Sequence, residues 1–251
     1  MGAPGERAAR ALDELAARLF GGRAGQERLA PLAARFAREV GTFPTDEPWA
    51  ESFVTLRLDW ALTEVPVPGT PRTWAERVAA GDVPGIDPAL GRACVETFAS
   101  VFEVRAGRRT IATDCVGGTV VPLHGALFPA AEGAYFEVRV VAAPDGMHPV
   151  RRPEALPDEV GEILERMRRT ALATFRRPSL DVVRRIRLAL ARNPRLPASL
   201  AVSASLGGFG GPPWAAGRRA VADSASAAGR EGDREFGEGA QLGGQGGEDP
   251  G

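Results

Sequence analysis

Residues 94–104 read Cys94-Val95-Glu96-Thr97-Phe98-Ala99-Ser100-Val101-Phe102-Glu103-Val104, and here the chain changes its period. Before this stretch apolar residues recur every three or four positions. From Val101 onward they alternate, as a half-buried strand requires. A helical half followed by a β half is the consequence. Asp87-Pro88 supplies a cap followed by proline in the first turn, so a helix is expected through Leu90, Cys94, Val95 and Phe98 before the switch.

Downstream, Val101, Phe102 and Val104 lead through Gly107 to Thr110-Ile111-Ala112-Thr113. Gly117-Gly118 before Thr119-Val120-Val121 predicts a two-residue hairpin. Tyr135, Phe136, Val138, Val140 and Val141 mark a longer strand, which Pro144-Asp145-Gly146 turns back toward Met147 to Val150. Four or five short strands in about fifty residues are too few for a sandwich. A small, highly curved sheet or barrel is the economical solution.

Upstream, Ala8, Ala11, Leu12, Leu15 and Leu19 fall at helical spacing, and Gly21-Gly22 ends that run. A second helix is expected from Gln26 to Val40. Pro48 then stands at a first helical turn, with Trp49, Phe53, Leu56 and Trp60 on one face and Val54, Leu58 and Leu62 widening it. Thr70 or Thr73 starts a short helix containing Trp74 and Val78. On the far side of the β half, Pro157-Asp158-Glu159 opens a further helix, and Ser179 caps a last basic helix ending near Asn193-Pro194. Beyond about Ser205 the Gly, Ala, Ser, Glu and Arg composition has no apolar period, and a disordered tail is expected.

The fold class is therefore α+β. The expected divisions are a helical region at 1–100, a small antiparallel β-barrel or curved sheet at 101–152, basic helices at 153–204 and a Gly-rich tail at 205–251. Hydrophobic residues make up 44% and charged residues 25%, at a net charge of −1, which describes a soluble globular chain. No window carries the apolar run of a membrane span, and the N-terminus lacks the basic and apolar stretches of a secretory signal, so a cytoplasmic location is expected. All 31 basic residues are arginine. Schiff-base, phosphate-loop and general-base lysine chemistry is thereby excluded, because a guanidinium stays protonated. The abundance of Ala, Gly, Arg and Pro, and a lone Asn193, trace this to GC-rich coding.

Asp59-Trp60 with Glu64, Thr73-Trp74-Ala75-Glu76-Arg77, Ser100-Val101-Phe102-Glu103-Val104, the Asp114 to Val121 hairpin, and His148 before a Pro-rich helix entry form a recognisable series. On these residues the chain resembles a family of uncharacterised proteins from GC-rich bacteria, over roughly 26–170. The resemblance implies a helical N-terminal half followed by a small β-barrel, and no activity. Separately, Leu188 to Pro197 looks like the opening unit of a bacterial helical repeat array, cut off by Gly207-Gly208-Phe209-Gly210-Gly211.

The inventory for catalysis is poor. There is no Gly-x-Ser-x-Gly elbow, and His124 and His148 are the only imidazoles. Cys94, Cys115, His124 and His148 lack metal-ligand spacing, and the two cysteines read as small buried hydrophobes. No catalytic residue, metal or cofactor is therefore assigned. Asp59 and Glu64 border the most apolar helix, where Arg57 or Arg77 is the expected compensating partner. Glu162 to Arg166 and Glu165 to Arg169 are ion pairs along one helix.

The one strong charge feature is basic. Arg166, Arg168, Arg169, Arg176, Arg177, Arg184, Arg185, Arg187 and Arg192 form the candidate binding surface, opposed by an acidic Phe43 to Val104 segment that they also have the means to meet internally. The expected function is a non-catalytic binding or regulatory module for a protein partner. The alternative is nucleic-acid binding through these helices and a barrel face, with Phe102, Tyr135 or Phe136 stacking bases if they point outward; a pI near 6.2 weighs against it. An enzyme using an acid pair or a metal is the least favoured class.

Overall fold

The computed structural model describes residues 2–105, 111–123, 134–161, 163–164 and 180–206. Met1–Ser205 forms one compact unit. The Gly-rich tail, the Ser179 cap and the Glu162–Arg166 and Glu165–Arg169 ion pairs expected from the sequence lie outside the described residues, as do Arg168, Arg176, Arg177 and His124.

Helix α1 (Pro4–Phe20) begins with proline at its first position, where the missing N–H removes nothing. It buries Leu12, Leu15 and Leu19 completely. Helix α2 (Gly22–Glu39) starts four residues earlier than its apolar pattern suggests, because extended Gly21 serves both as the end of α1 and as the cap of α2. The carbonyls left open at the end of α1 accept from α2 side chains: Gln26 Nε2 donates to Phe20 at 2.9 Å and Arg28 Nη1 to Leu19 at 3.2 Å.

A short 3₁₀ turn, Pro48–Ala50, leads into α3 (Glu51–Thr63), which buries Trp60 against Phe36 of α2 and Phe53 against Phe43 and Trp49. Helix α4 (Trp74–Ala79) is fixed by a reciprocal cap. The Glu76 amide donates to Thr73 Oγ1, and the Thr73 amide donates to Glu76 Oε2 at 2.7 Å. Helix α5 (Pro88–Val95) opens on Asp87, whose Oδ1 accepts from the Ala89 amide at 2.8 Å. It ends three residues short of Phe98: Thr97 Oγ1 donates to the Cys94 carbonyl at 2.8 Å, and the strand begins at once.

Strands β1 (Thr97–Arg105), β2 (Ile111–Asp114), β3 (Val120–Pro122), β4 (Ala134–Ala143), β5 (Gly146–Pro149) and β6 (Glu154–Leu156) form one antiparallel sheet. Its order is β3-β2-β1-β4-β5, with β6 following β5 along the same edge of β4. The sheet is curved enough that its two edges touch in a bridge between Leu123 and Met147. The β2–β3 connection is longer than the expected two residues. Asp114 caps it, accepting on Oδ1 from Ser100 Oγ and from the Val116 and Gly117 amides, while Gly118 takes a φ of 75° that favours glycine.

The register separates the two faces of the sheet. Phe98, Phe102, Val104, Ala112, Phe136, Val138 and Val140 point inward and form a core of their own. Thr97, Ala99, Val101, Glu137, Arg139 and Val141 share the opposite face. That face meets the helices, so residues 136–141 of β4 are buried on both sides. Glu137 and Arg139 are thus charges inside a helix–sheet interface. Helix α6 (Asp181–Arg192) closes over them with Val182, Val183, Ile186 and Leu188 buried, and α7 (Ala198–Leu206) follows.

Candidate functional site

Burying two charges on one strand face demands partners, and the helices provide them. Arg184 on α6 is 0% exposed. Its Nε donates to Glu137 Oε1 at 2.8 Å, while Nη1 and Nη2 donate to the two oxygens of Glu64 at 3.0 Å each. Arg139 Nη2 donates to Glu64 Oε1 at 2.5 Å and Nη1 to Thr97 Oγ1 at 3.1 Å. Arg139 Nε lies 3.6 Å from Asp59 Oδ2. Asp59 in turn accepts two bonds of 3.0 Å from Arg151, which also reaches Asp13 on α1 at 2.7 Å. At the other end Arg187 Nη1 donates to Glu137 Oε2, and its Nη2 lies 3.8 Å from Glu154 Oε2.

Acid and base therefore alternate through Asp13, Arg151, Asp59, Arg139, Glu64, Arg184, Glu137, Arg187 and Glu154, tying α1, α3, β4, β6 and α6 into one ladder. Burial is the largest influence on the Glu64 and Glu137 carboxyls and works to raise their pKa values. The adjacent guanidinium charges and hydrogen bonds together outweigh it, and both are held below the ordinary value. Burial likewise opposes the charge on Arg184 and Arg151, and their carboxylate partners reverse it, raising both.

Two cavities flank the ladder. The larger, about 700 Å³, is a groove with Trp49, Phe53 and Leu56 on one wall and Leu190 and Ala191 on the other, over a floor of Ala99, Glu137, Arg139 and Glu154. The second, about 560 Å³, lies toward Thr63, Glu64, Thr97 and Asp181. Arg139 and Ala99 line both.

The structure redistributes the expected basic surface. Arg184 and Arg187 are not part of it; they are drawn into the ladder, because Glu64 and Glu137 need counter-charges once buried. Arg185 is half-buried, and Arg192 is exposed with Nη2 3.2 Å from Thr42 Oγ1. Asp59 and Glu64 do have arginine partners, but these are Arg139, Arg151 and Arg184 in place of Arg57 and Arg77. Arg57 stacks over Phe43 at 5.2 Å, and burial lowers its pKa; Arg77 stacks over Trp74 at 5.1 Å. Phe102 and Phe136 point into the sheet's own core and present no stacking face.

Cys94 is buried, its thiol pushed up to about 12 by burial and by the charge of Asp59. Cys115 is half-buried, with Sγ 3.5 Å from the Thr113 carbonyl. His148 Nε2 pairs with Asp145 Oδ1 at 2.9 Å in the β4–β5 turn and lines neither cavity. Among the described residues no group of three His, Cys, Asp or Glu side chains is placed to hold a metal.

Sequence reasoning missed Glu137, Arg139 and Arg151 altogether. The signal for Glu137 and Arg139 was the interruption of an apolar strand by two charges of opposite sign, which also describes a wet strand face; Arg151, beyond β5, had none.

One other surface stands out. Val120 is 63% exposed and Ile111 45% exposed. The pairings Ile111 with Pro122 and Thr113 with Val120 put all four on one face of the β2–β3 hairpin, at the edge of the sheet. Glu103 and Arg105 continue that face on β1. Among the described residues no helix is long and apolar enough to cross a membrane. Comparison of the chain with family models, with curated proteins and with solved structures finds no match to any of them.

Proposed function

We propose that the protein is a non-catalytic binding or regulatory module that docks a protein partner through the outer face of the β2–β3 hairpin. The observation carrying this reading is the pairing of two large exposed aliphatic side chains, Val120 and Ile111, across that hairpin beside exposed Pro122. Clustered apolar exposure at a sheet edge is a usual mark of a contact surface. Pro122 has no amide proton to offer an added strand, so the contact is made by side chains, with Arg105 and Glu103 as its polar rim. The ladder supports the same reading from the other side, since its acids and bases are engaged with one another.

The test uses the full chain as bait against native lysate, with Ile111→Asp/Val120→Asp as the comparison. A partner protein retained by the wild type, rebuilt from purified components and lost in a variant of unchanged melting temperature is the expected result. Equal retention by both baits, or a hydrolase or transferase activity abolished by changing one polar residue of the ladder, overturns the reading.

A further inference from the structure

We infer that the groove between α3 and α6 binds a small organic monocarboxylate, whose acid group docks on the outer edge of Arg187 and whose apolar body lies against Trp49, Phe53, Leu56 and Leu190. This site is separate from the hairpin face and stands without it. The recess, at about 700 Å³, falls within the range of small-molecule sites, which pair mostly apolar walls with a few fixed polar groups.

Arg187 is that fixed group. Its side chain is 9% exposed, and its guanidinium is held by a cation–π contact over the Phe53 ring at 5.2 Å and by the bond from Nη1 to Glu137. The opposite edge is different. Nη2 stands 3.8 Å from Glu154 Oε2, too far for a hydrogen bond, and among the described residues the hydrogen bonds of Arg187 consist of the one to Glu137. A guanidinium pre-oriented on one edge, and met on the other by a single 3.8 Å ion pair from the half-exposed Glu154, matches the two oxygens of a carboxylate. Exposed Arg152 adds positive charge at the rim. Arg139 and Arg151, by contrast, have their donors directed to Thr97, Glu64, Asp59 and Asp13.

The charge around the recess selects the ligand further. Arg139, Arg151, Arg152 and Arg187 are matched by Glu51, Asp59, Glu137 and Glu154. These lining charges balance, so a monoanion meets less repulsion from Glu137 than a phosphate dianion does. Ser52 and Thr55 place hydroxyls on the α3 wall.

The full chain is titrated with decanoate, decanol and inorganic phosphate, followed by calorimetry and by tryptophan fluorescence, since Trp49 lines the groove. The expected result is single-site decanoate binding, at least tenfold tighter than decanol, with no heat from phosphate. Ser52→Trp, which fills the groove from the half-buried α3 wall, removes decanoate binding. Arg187→Leu, if folded, abolishes the preference for acid over alcohol. Equal affinity for decanoate and decanol, decanoate binding untouched by Ser52→Trp, or no decanoate binding at millimolar concentration overturns the inference and leaves the hairpin reading standing.

Discussion

Arg184 Nε donates to Glu137 Oε1 across 2.8 Å with both side chains buried, and this contact locks helix α6 onto strand β4. Neither charge survives alone in that setting. Replacing Arg184 by Met leaves Glu64 and Glu137 without their shared counter-charge, and chemical denaturation is expected to show a loss of about 3–5 kcal/mol. Arg184→Lys also destabilises, because one ammonium cannot direct donors to two carboxylates in this geometry. Adding Glu137→Leu to Arg184→Met recovers part of the loss, so the double variant falls short of the sum of the singles. Strict additivity contradicts the ladder.

Acid should open the same ladder. Glu64 and Glu137 have pKa values lowered in the folded protein from an ordinary 4.5, so between the folded and unfolded values the unfolded chain binds more protons. Their stabilisation is complete above about 4.5 and is lost as pH falls through the folded values. The melting temperature is expected to drop steeply below about pH 4.5, and Glu137→Gln, already uncharged, to flatten that fall. A melting temperature indifferent to pH between 5 and 3 removes these carboxylates from the account.

The contrast between caps and ladder shows how much of this was legible. The Thr73–Glu76 and Asp87–Ala89 caps act over two or three residues, and both are visible in the sequence. The period switch near Val101 likewise marks where helices give way to strands. The ladder joins Arg139 to Glu64 across 75 positions and Arg184 to Glu137 across 47. No local pattern encodes such pairs. Glu137 and Arg139 alternate with Phe136, Val138 and Val140 as a one-sided strand does, and only the packing of α3 and α6 on the second face turns a wet face into a buried one. The same packing turned Arg184 inward to Glu64 of the acidic segment, a pairing the charge balance allowed but no local pattern assigned to this arginine.

The two cysteines should differ sharply toward alkylation. Cys94 is fully buried with its thiol pushed up to about 12, so it carries almost no thiolate at pH 8. Cys115 is partly open to solvent in the β2–β3 turn. One maleimide per native chain, mapped to Cys115, and two after denaturation are expected by mass spectrometry. Rapid double labelling of the native protein contradicts the burial of the α5 end.

Gly91 tests the tightness of the helical core. Helix α5 crosses α4 so closely there that an added Cβ comes within 2.3 Å of the Ala79 amide nitrogen and 2.8 Å of the Ala75 carbonyl oxygen. Both are backbone atoms, so relief requires moving one helix. Gly91→Ala is therefore expected to destabilise by about 1–3 kcal/mol, although alanine is the better helix former by about 1 kcal/mol. The sign decides the matter in a denaturant titration. Crowding at the crossing makes the variant weaker, whereas a stabilised variant means that α4 and α5 are not in backbone contact.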